Sequence, residues 1–299
     1  MAPVELRHLR YLLAIVEHGT FTRAAEALHV SQPTLSQQIR SLERTVGLPL
    51  LDRSGRTVRA TDAGEVYAAH ARRALRELAA ADRAVQDVRD LTRGHVRLGV
   101  TPTFTAYLVA PLVAALHARR PGLTVTVREA AQQHVEDALL ADELDVGIGF
   151  TGAEAAGIAA EPLFTETLGV VVARERAVPS PLPVAELAGH DLVLLAGDFA
   201  TRAAIDAYFA EQGVAPRVAV EADSALTLID IVRDGPLATV LPDAVAQGRS
   251  GLRTVALRPP LPHRTAALLT RDGGYRPAAA AALADLLRAQ VAERGFPAP

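Results

Sequence analysis

Residues 21 to 43 read FTRAAEALHVSQPTLSQQIRSLE, and the fold of the N-terminal part turns on how this stretch divides. Thr20 offers a side-chain oxygen to the free N–H groups of a helix starting at Phe21, in which Phe21, Ala24, Ala25 and Leu28 share one apolar face. The small alanines let another helix approach closely. After His29 and Val30, Ser31 caps a further helix that carries Pro33 in its first turn, where a missing N–H has no helical partner to lose. Leu35, Ile39, Leu42 and Val46 then fall on its buried side, with Gln32, Thr34, Gln37 and Arg40 opposite. Two helices joined by a tight turn, the second polar at its start, form the arrangement that lays a helix in the major groove of duplex DNA. Gln32 and Gln37 suit adenine edges, Thr34 a thymine methyl or a phosphate, and Arg40 a phosphate; Thr22, Ser31, Pro33 and Ser36 complete the expected DNA-facing set.

Upstream, Leu6, Leu9, Leu12, Leu13 and Val16 recur at helical spacing until Gly19 stops the helix. Downstream, Gly47 and Pro49 end the reading helix, and residues 50–60 read as a two-stranded ribbon with Ser54 and Gly55 at its turn. Arg53 and Arg59 suit phosphates there, and Arg56 suits insertion into the minor groove as a wing. From residue 62 to 93 a single helix is predicted, with Tyr67, Ala71, Ala74, Leu78, Ala81, Val85 and Val88 in strict alternation of four and three. That heptad seam is expected to pair with a second copy of the chain; the alternative is an amphipathic helix lying on its own chain.

Beyond Gly94 strands and helices alternate. HVRLGV, LTVTVREA, LDVGIGF, LGVVVA, DLVLLA, RVAVEA, LATVLP, LRTVAL and RTAALL read as strands. Residues 104–120 (with Pro111 inside), 135–141, 203–212, 224–234 and 277–294 read as helices, and the pattern changes character at Glu161. Such alternation implies a mostly parallel sheet covered by helices, so the chain is α/β overall behind an all-α N-terminal head.

The formal net charge of −3 conceals an asymmetry. Residues 1–60 hold eight arginines against five acidic residues, whereas residues 94–299 hold 17 against 23. A phosphate backbone would therefore meet the N-terminal part. There is no lysine, so every cationic side chain apart from histidine is arginine, the better residue for bidentate contacts to phosphate and guanine. Cysteine is absent, which excludes disulfides, thiolate metal sites and cysteine nucleophiles. Charges interrupt the N-terminal apolar pattern and no stretch reaches the length of a membrane span, so the reading is a soluble cytoplasmic protein that contacts no membrane.

AAEALHVSQPTLSQQIRSLE followed by GLPLLDRSGRTVRATDAG resembles the N-terminal signature of the LysR family of transcriptional regulators, and the likeness runs the length of the chain. The resemblance implies a winged helix-turn-helix at 1–60, a dimerising linker helix at 61–93 and an effector-binding domain at 94–299. That last domain would be of the periplasmic-binding-protein type, lobe I about 94–161 and 266–299, lobe II about 162–265. It also implies partners: double-stranded operator DNA, a small-molecule effector between the lobes, further copies of the chain up to a homotetramer, and RNA polymerase if the protein activates. Within that family, GVTPTFTAYLVAPL, EDALLADELDVGIGF, LVLLAGDFATRAAIDAYFAEQGV and RTAALL are similar to the cyanate-responsive activators of cyanate degradation. The chemistry is compatible. A strand ending at Val100 delivers Thr101 to a helix N-terminus where Pro102 is pre-set for the first position and the N–H groups around Thr103 and Phe104 are free for an anion. Thr201 beside Phe199 presents a second hydroxyl, Gln132 stands where many family members have serine or threonine, and Phe150 completes the expected effector set. The alternatives are another metabolite, or a ligand-binding protein or enzyme built on the two-lobed domain.

Two patterns carry less. Gly147, Gly149 and Gly152 spell a dinucleotide fingerprint, but too few residues follow for the helix that would hold a pyrophosphate. His134, Glu136 and Asp137 suggest a metal site, yet no second histidine is near and a solvated helix face is the simpler reading. Neither a cofactor nor a catalytic triad is expected.

Overall fold

The computed structural model describes residues 4–55, 57–89, 94–152, 154–247 and 249–299, with the backbone alone for helix residues 83 and 86–89. The chain forms two compact units, Met1–Val85 and Gln86–Pro299.

The first unit holds helices α1 (Leu6–His18), α2 (Phe21–Ala27) and α3 (Gln32–Val46), a ribbon of β1 (Leu51–Asp52) and β2 (Arg59–Ala60), and the start of α4 (Asp62–Arg89). Each expected punctuation mark acts locally. Gly19 leaves α1 at φ +68°, Thr20 Oγ1 accepts from Arg23 N at 3.2 Å, and Ser31 Oγ accepts from Thr34 N at 3.2 Å. Leu12, Ile15, Ala24, Leu35, Ile39, Leu42 and Leu50 are wholly buried together, so the three helices share one core. Glu43 ties the ribbon to α3: its Oε1 accepts from the backbone N–H of Leu50 and Leu51, at 3.0 and 3.2 Å. Gly64 fills the tightest joint, since a Cβ there would lie 1.9 Å from the Leu50 carbonyl oxygen. Along α4, Tyr67 packs against this core, whereas Ala74, Leu78, Ala81 and Val85 of the heptad seam stand exposed, Leu78 at 44% and Val85 at 57%. The Val88 side chain and linker residues 90–93 lie outside the described residues.

The second unit opens with β3 (Gly94–Val100), α5 (Pro102–Phe104), a π-helical turn (Thr105–Val109) and α6 (Ala110–Arg119). It continues through β4 (Leu123–Glu129), α7 (Gln132–Leu140), β5 (Val146–Phe150), β6 (Ile158–Glu166), β7 (Leu168–Ala173), β8 (Leu182–Pro183) and a 3-10 turn (Val184–Gly189). Then come β9 (Asp191–Leu195), α8 (Ala200–Glu211), β10 (Arg217–Ala222), α9 (Ala225–Asp234), β11 (Thr239–Pro242) and α10 (Asp243–Ala246). β12 (Leu252–Val255), β13 (Leu257–Arg258), β14 (Arg264–Arg271) and α11 (Ala278–Glu293) complete it.

The first lobe is built on a five-stranded sheet of order β4-β3-β5-β14-β6, and the second on β11-β7-β12 beside the pair β10-β9. The sheets are mixed, which corrects the expectation of mostly parallel strands. β3 runs parallel to β4 and β5, but β14 is antiparallel to both its neighbours. The cause is connectivity: β6 leaves the first lobe at the edge holding Glu166, and β14 returns at that edge with Arg264 opposite Glu166, so it must run the other way. β6 also continues to Glu166, past the Glu161 at which the sequence pattern changes. The helix expected over 104–120 is continuous from Pro102 to Arg119, with a π turn at Thr105–Val109 set into it ahead of Pro111.

Candidate functional site

Two surfaces carry candidate chemistry, one in each unit. In the first, α3 buries Leu35, Ile39 and Leu42, which forces Gln32, Pro33, Thr34, Gln37 and Arg40 outward, and all five are exposed. Thr22 and Ser31 are exposed beside them, while Ser36 is half-buried and holds Arg40, whose Nη2 donates to Ser36 Oγ at 3.0 Å. The ribbon arginines differ. Arg59 is exposed on β2, but Arg53 donates to Glu43 Oε2 at 2.8 Å and lies 5.2 Å from the centre of the Phe21 ring, so much of its work is to brace the ribbon. Arg56 lies outside the described residues. Behind α3, His8 is 5% exposed; its Nδ1 accepts from the Glu5 backbone N–H at 3.1 Å, which leaves Nε2 to donate to Gln38 Oε1 at 2.8 Å.

In the second unit the strand ends β3, β5 and β14 and the start of α8 converge. A cavity of about 270 Å³ lies between the lobes, walled by Gln132, Glu136 and Phe150 on one side and by Asp198, Phe199 and Ala200 on the other. Of the residues expected to bind effector, Gln132, Phe150 and Phe199 line it. Thr101, Pro102, Thr103, Phe104 and Thr201 do not; they are buried. Phe104 stacks on Phe150 at 5.1 Å between ring centres. The Thr101 and Thr103 hydroxyls are buried without a partner among the described residues, at 4% and 0% exposure. The Phe104 N–H is not free as expected, because it donates to Thr101 O at 3.1 Å and closes the first turn. Gln132 is committed too. Its Oε1 accepts from Phe150 N at 2.9 Å and its Nε2 donates to Phe150 O and to Glu136 Oε1, each at 2.8 Å, so it clips α7 to β5.

A chain of buried polar groups runs behind this cavity. Tyr107 OH donates to Glu166 Oε1 at 2.7 Å, Glu166 Oε2 accepts from Arg264, and Arg264 Nη1 donates to Thr201 Oγ1 at 2.8 Å on α8. Arg264 also lies 3.9 Å over the Phe150 ring. Burial, with the nearby Glu166 charge, pushes the Tyr107 phenol well above its usual range. Burial, again with Glu166, raises the Asp243 carboxyl, whose Oδ1 has no partner among the described residues. Because an arginine only donates, the Thr201 hydroxyl uses a lone pair on it and keeps its own proton for another acceptor.

The sequence reading missed Arg264, Glu166 and Tyr107. The only trace of the first is an arginine placed directly before an apolar strand. It also misread Glu136, which is 1% exposed rather than on a solvated face: Ala155 N donates to its second oxygen at 2.9 Å. His134 and Asp137 are exposed, and no group of three metal-ligating side chains occurs among the described residues. Gly147 and Gly149 serve packing, since a Cβ on either would press within 2.8 Å of a Val135 or Leu269 methyl.

A helix-turn-helix with an exposed polar edge, followed by a two-lobed domain with a cavity between its lobes, defines a DNA-binding regulator with an effector-binding domain. Residues 6–65 match the family model of the bacterial regulatory helix-turn-helix protein, lysR family, and residues 89–292 match the LysR substrate binding domain. The chain belongs to the LysR family of transcriptional regulators. It is 34% identical to the nitrogen assimilation regulatory protein nac of Klebsiella aerogenes over 249 residues, 83% of this chain and 81% of that protein. It is 31% identical to the hydrogen peroxide-inducible genes activator of Escherichia coli over 293 residues, 96% of each. Among solved structures, a cysteine-to-aspartate variant of full-length OxyR from Pseudomonas aeruginosa matches with a TM-score of 0.70 at 27% identity over 96% of both chains. The family and these relatives are transcriptional regulators, not enzymes.

Proposed function

We propose that the protein is a ligand-gated LysR-type regulator in which α3 reads operator DNA and a small molecule in the interlobe cavity sets the transcriptional output. The observation that carries the reading is the outward edge of Gln32, Thr34, Gln37 and Arg40 on a helix whose opposite face is wholly buried. The exposed seam of Leu78 and Val85 supports pairing through α4 with a second copy, which puts two reading helices on one partly palindromic site. A tetramer, recruitment of RNA polymerase by an activating form, and a cytoplasmic location with access to chromosomal DNA complete the reading.

The effector is a small molecule with a hydrogen-bond acceptor; the free proton of Thr201 and the unpartnered hydroxyls of Thr101 and Thr103 suit it. Since all three are buried outside the cavity lining, it reaches them only by opening the wall formed by Phe150 and Phe199. Cyanate remains a candidate through the resemblance of the regulatory half. Peroxide sensing by oxidation of a cysteine thiolate is closed to this chain, which has no cysteine and whose one methionine is Met1.

Fluorescence anisotropy on duplexes from the region upstream of the coding sequence tests the first part. Wild type should discriminate among sequences and weaken steeply as salt rises, and Gln37→Ala should lose about 10- to 100-fold of that discrimination. Unchanged sequence preference in Gln37→Ala removes α3 from the reading role. Calorimetry with sodium cyanate, comparing wild type with Thr101→Val, tests the effector: equal heats from both proteins take Thr101 out of the site.

A further inference from the structure

The π turn at Thr105–Val109 ends just before Pro111, which has no N–H. In α register that missing donor would serve the Tyr107 carbonyl, and in π register the Ala106 carbonyl, so the helix cannot satisfy both from within. Side chains supply the difference. Arg294 Nη1 donates to Tyr107 O at 2.7 Å, Arg249 Nη2 donates to Ala106 O at 2.7 Å, and Gln290 Nε2 donates to Leu108 O at 3.2 Å.

The three donors have different origins. Gln290 lies on α11 and Arg294 just after it, in the same lobe as the turn, and α11 packs on α6 directly. Arg249 comes from the link between α10 and β12 in the other lobe, 143 residues along the chain from Ala106. No carboxylate pairs with Arg249 among the described residues, so its charge is spent on this one carbonyl. α9 and α10 of the second lobe pack against the same turn. The orphaned carbonyl is thus a seat into which the second lobe plugs a charged donor, on a turn whose Tyr107 also begins the buried chain to Thr201.

We propose that Arg249 is an interlobe strap, which fixes the resting spacing of the two lobes by capping the Ala106 carbonyl that Pro111 leaves without a donor. Any effector that moves the lobes works against this bond, whatever that effector is. Loss of the donor frees the turn, and an N–H restored at position 111 makes the strap dispensable.

Hydrogen exchange of the full-length protein, followed by mass spectrometry, tests both statements. In Arg249→Met the segments 105–112 and 225–234 should exchange about tenfold faster than in wild type, the loss expected for a charge-assisted bond. Arg253→Met should leave them unchanged, because Arg253 donates to Arg176 O and Val178 O within the second lobe. In a Pro111→Ala background, Arg249→Met should have less than a third of its effect. Wild-type exchange in Arg249→Met, or full additivity of the two substitutions, overturns the proposal. Should Arg249→Met alone fail to fold, recovery of the fold in the double variant supports the strap and continued failure overturns it.

Discussion

The two units hold polar groups in opposite ways. In the first, a helix drives Leu35, Ile39 and Leu42 into a core and so turns Gln32, Thr34 and Gln37 to solvent, where only Thr34 has a side-chain partner among the described residues, the Ser31 hydroxyl at 2.7 Å. In the second, Tyr107, Glu166, Arg264 and Thr201 are drawn inward and satisfied by one another across residues far apart in sequence. On the proposed function, a reading surface needs groups that point outward when DNA arrives, and projection from a helix with a buried opposite face provides them. A gated cleft needs groups whose pairing changes when a ligand arrives, and a buried chain of donors and acceptors provides that at the risk of stranded charge.

If that contrast holds, substitutions should rank by how far each site depends on distant partners. Glu166→Ala should have the largest effect, because it leaves Arg264 at 12% side-chain exposure without its counter-charge and Tyr107 OH without an acceptor. A loss of about 3–5 kcal/mol is expected in urea unfolding of the second unit. A loss below about 1 kcal/mol would mean the buried chain does not hold that unit. Gly64→Ala should follow at about 3 kcal/mol, since the new methyl meets the Leu50 carbonyl and must push the ribbon off α4. Ser31→Ala removes the oxygen that accepts from Thr34 N at the start of α3 and should cost about 1 kcal/mol in thermal unfolding of the first unit, with no change in the second. A loss in both units would show that the first does not stand on local contacts.

The smallest effect concerns pH. The Asp243 carboxyl is raised by burial and by Glu166, so the fold favours its protonated form. Its contribution is fully present below the ordinary carboxylate range and is lost as pH rises through the raised value. Asp243→Asn should therefore raise the melting temperature by about 1 °C at pH 8 and leave it unaltered at about pH 3, below the ordinary aspartate range. A lower melting temperature at pH 8 would show that the ionised carboxylate has a partner that outweighs its burial.

The sequence was most legible where physics is local. Thr20, Ser31, Gly19 and Gly47 act on atoms within four residues, so the three head helices and the exposed polar edge of α3 followed from spacing and caps alone. Phe150, Phe199 and Gln132, expected in the effector site through resemblance, line the interlobe cavity, and the hydrogen bonds that commit Gln132 to Phe150 were invisible in the sequence. Arg264 and Glu166 carry no local mark, since an arginine before a strand is ordinarily a solvated end.

By itself the sequence determined the helix-turn-helix, the four-and-three periodicity of α4 and most of the strands and helices behind them, though not β6, β8 or α10, because each of those it did show depends on side-chain periodicity and on caps a few residues away. Only the tertiary structure decided that β14 threads antiparallel between β5 and β6, which sets Arg264 against Glu166 from 98 residues away, and that Arg249 reaches the carbonyl Pro111 leaves bare. The reason is that a buried charge finds its partner through strand register and lobe packing, and both arise only when distant segments have already closed on a common core.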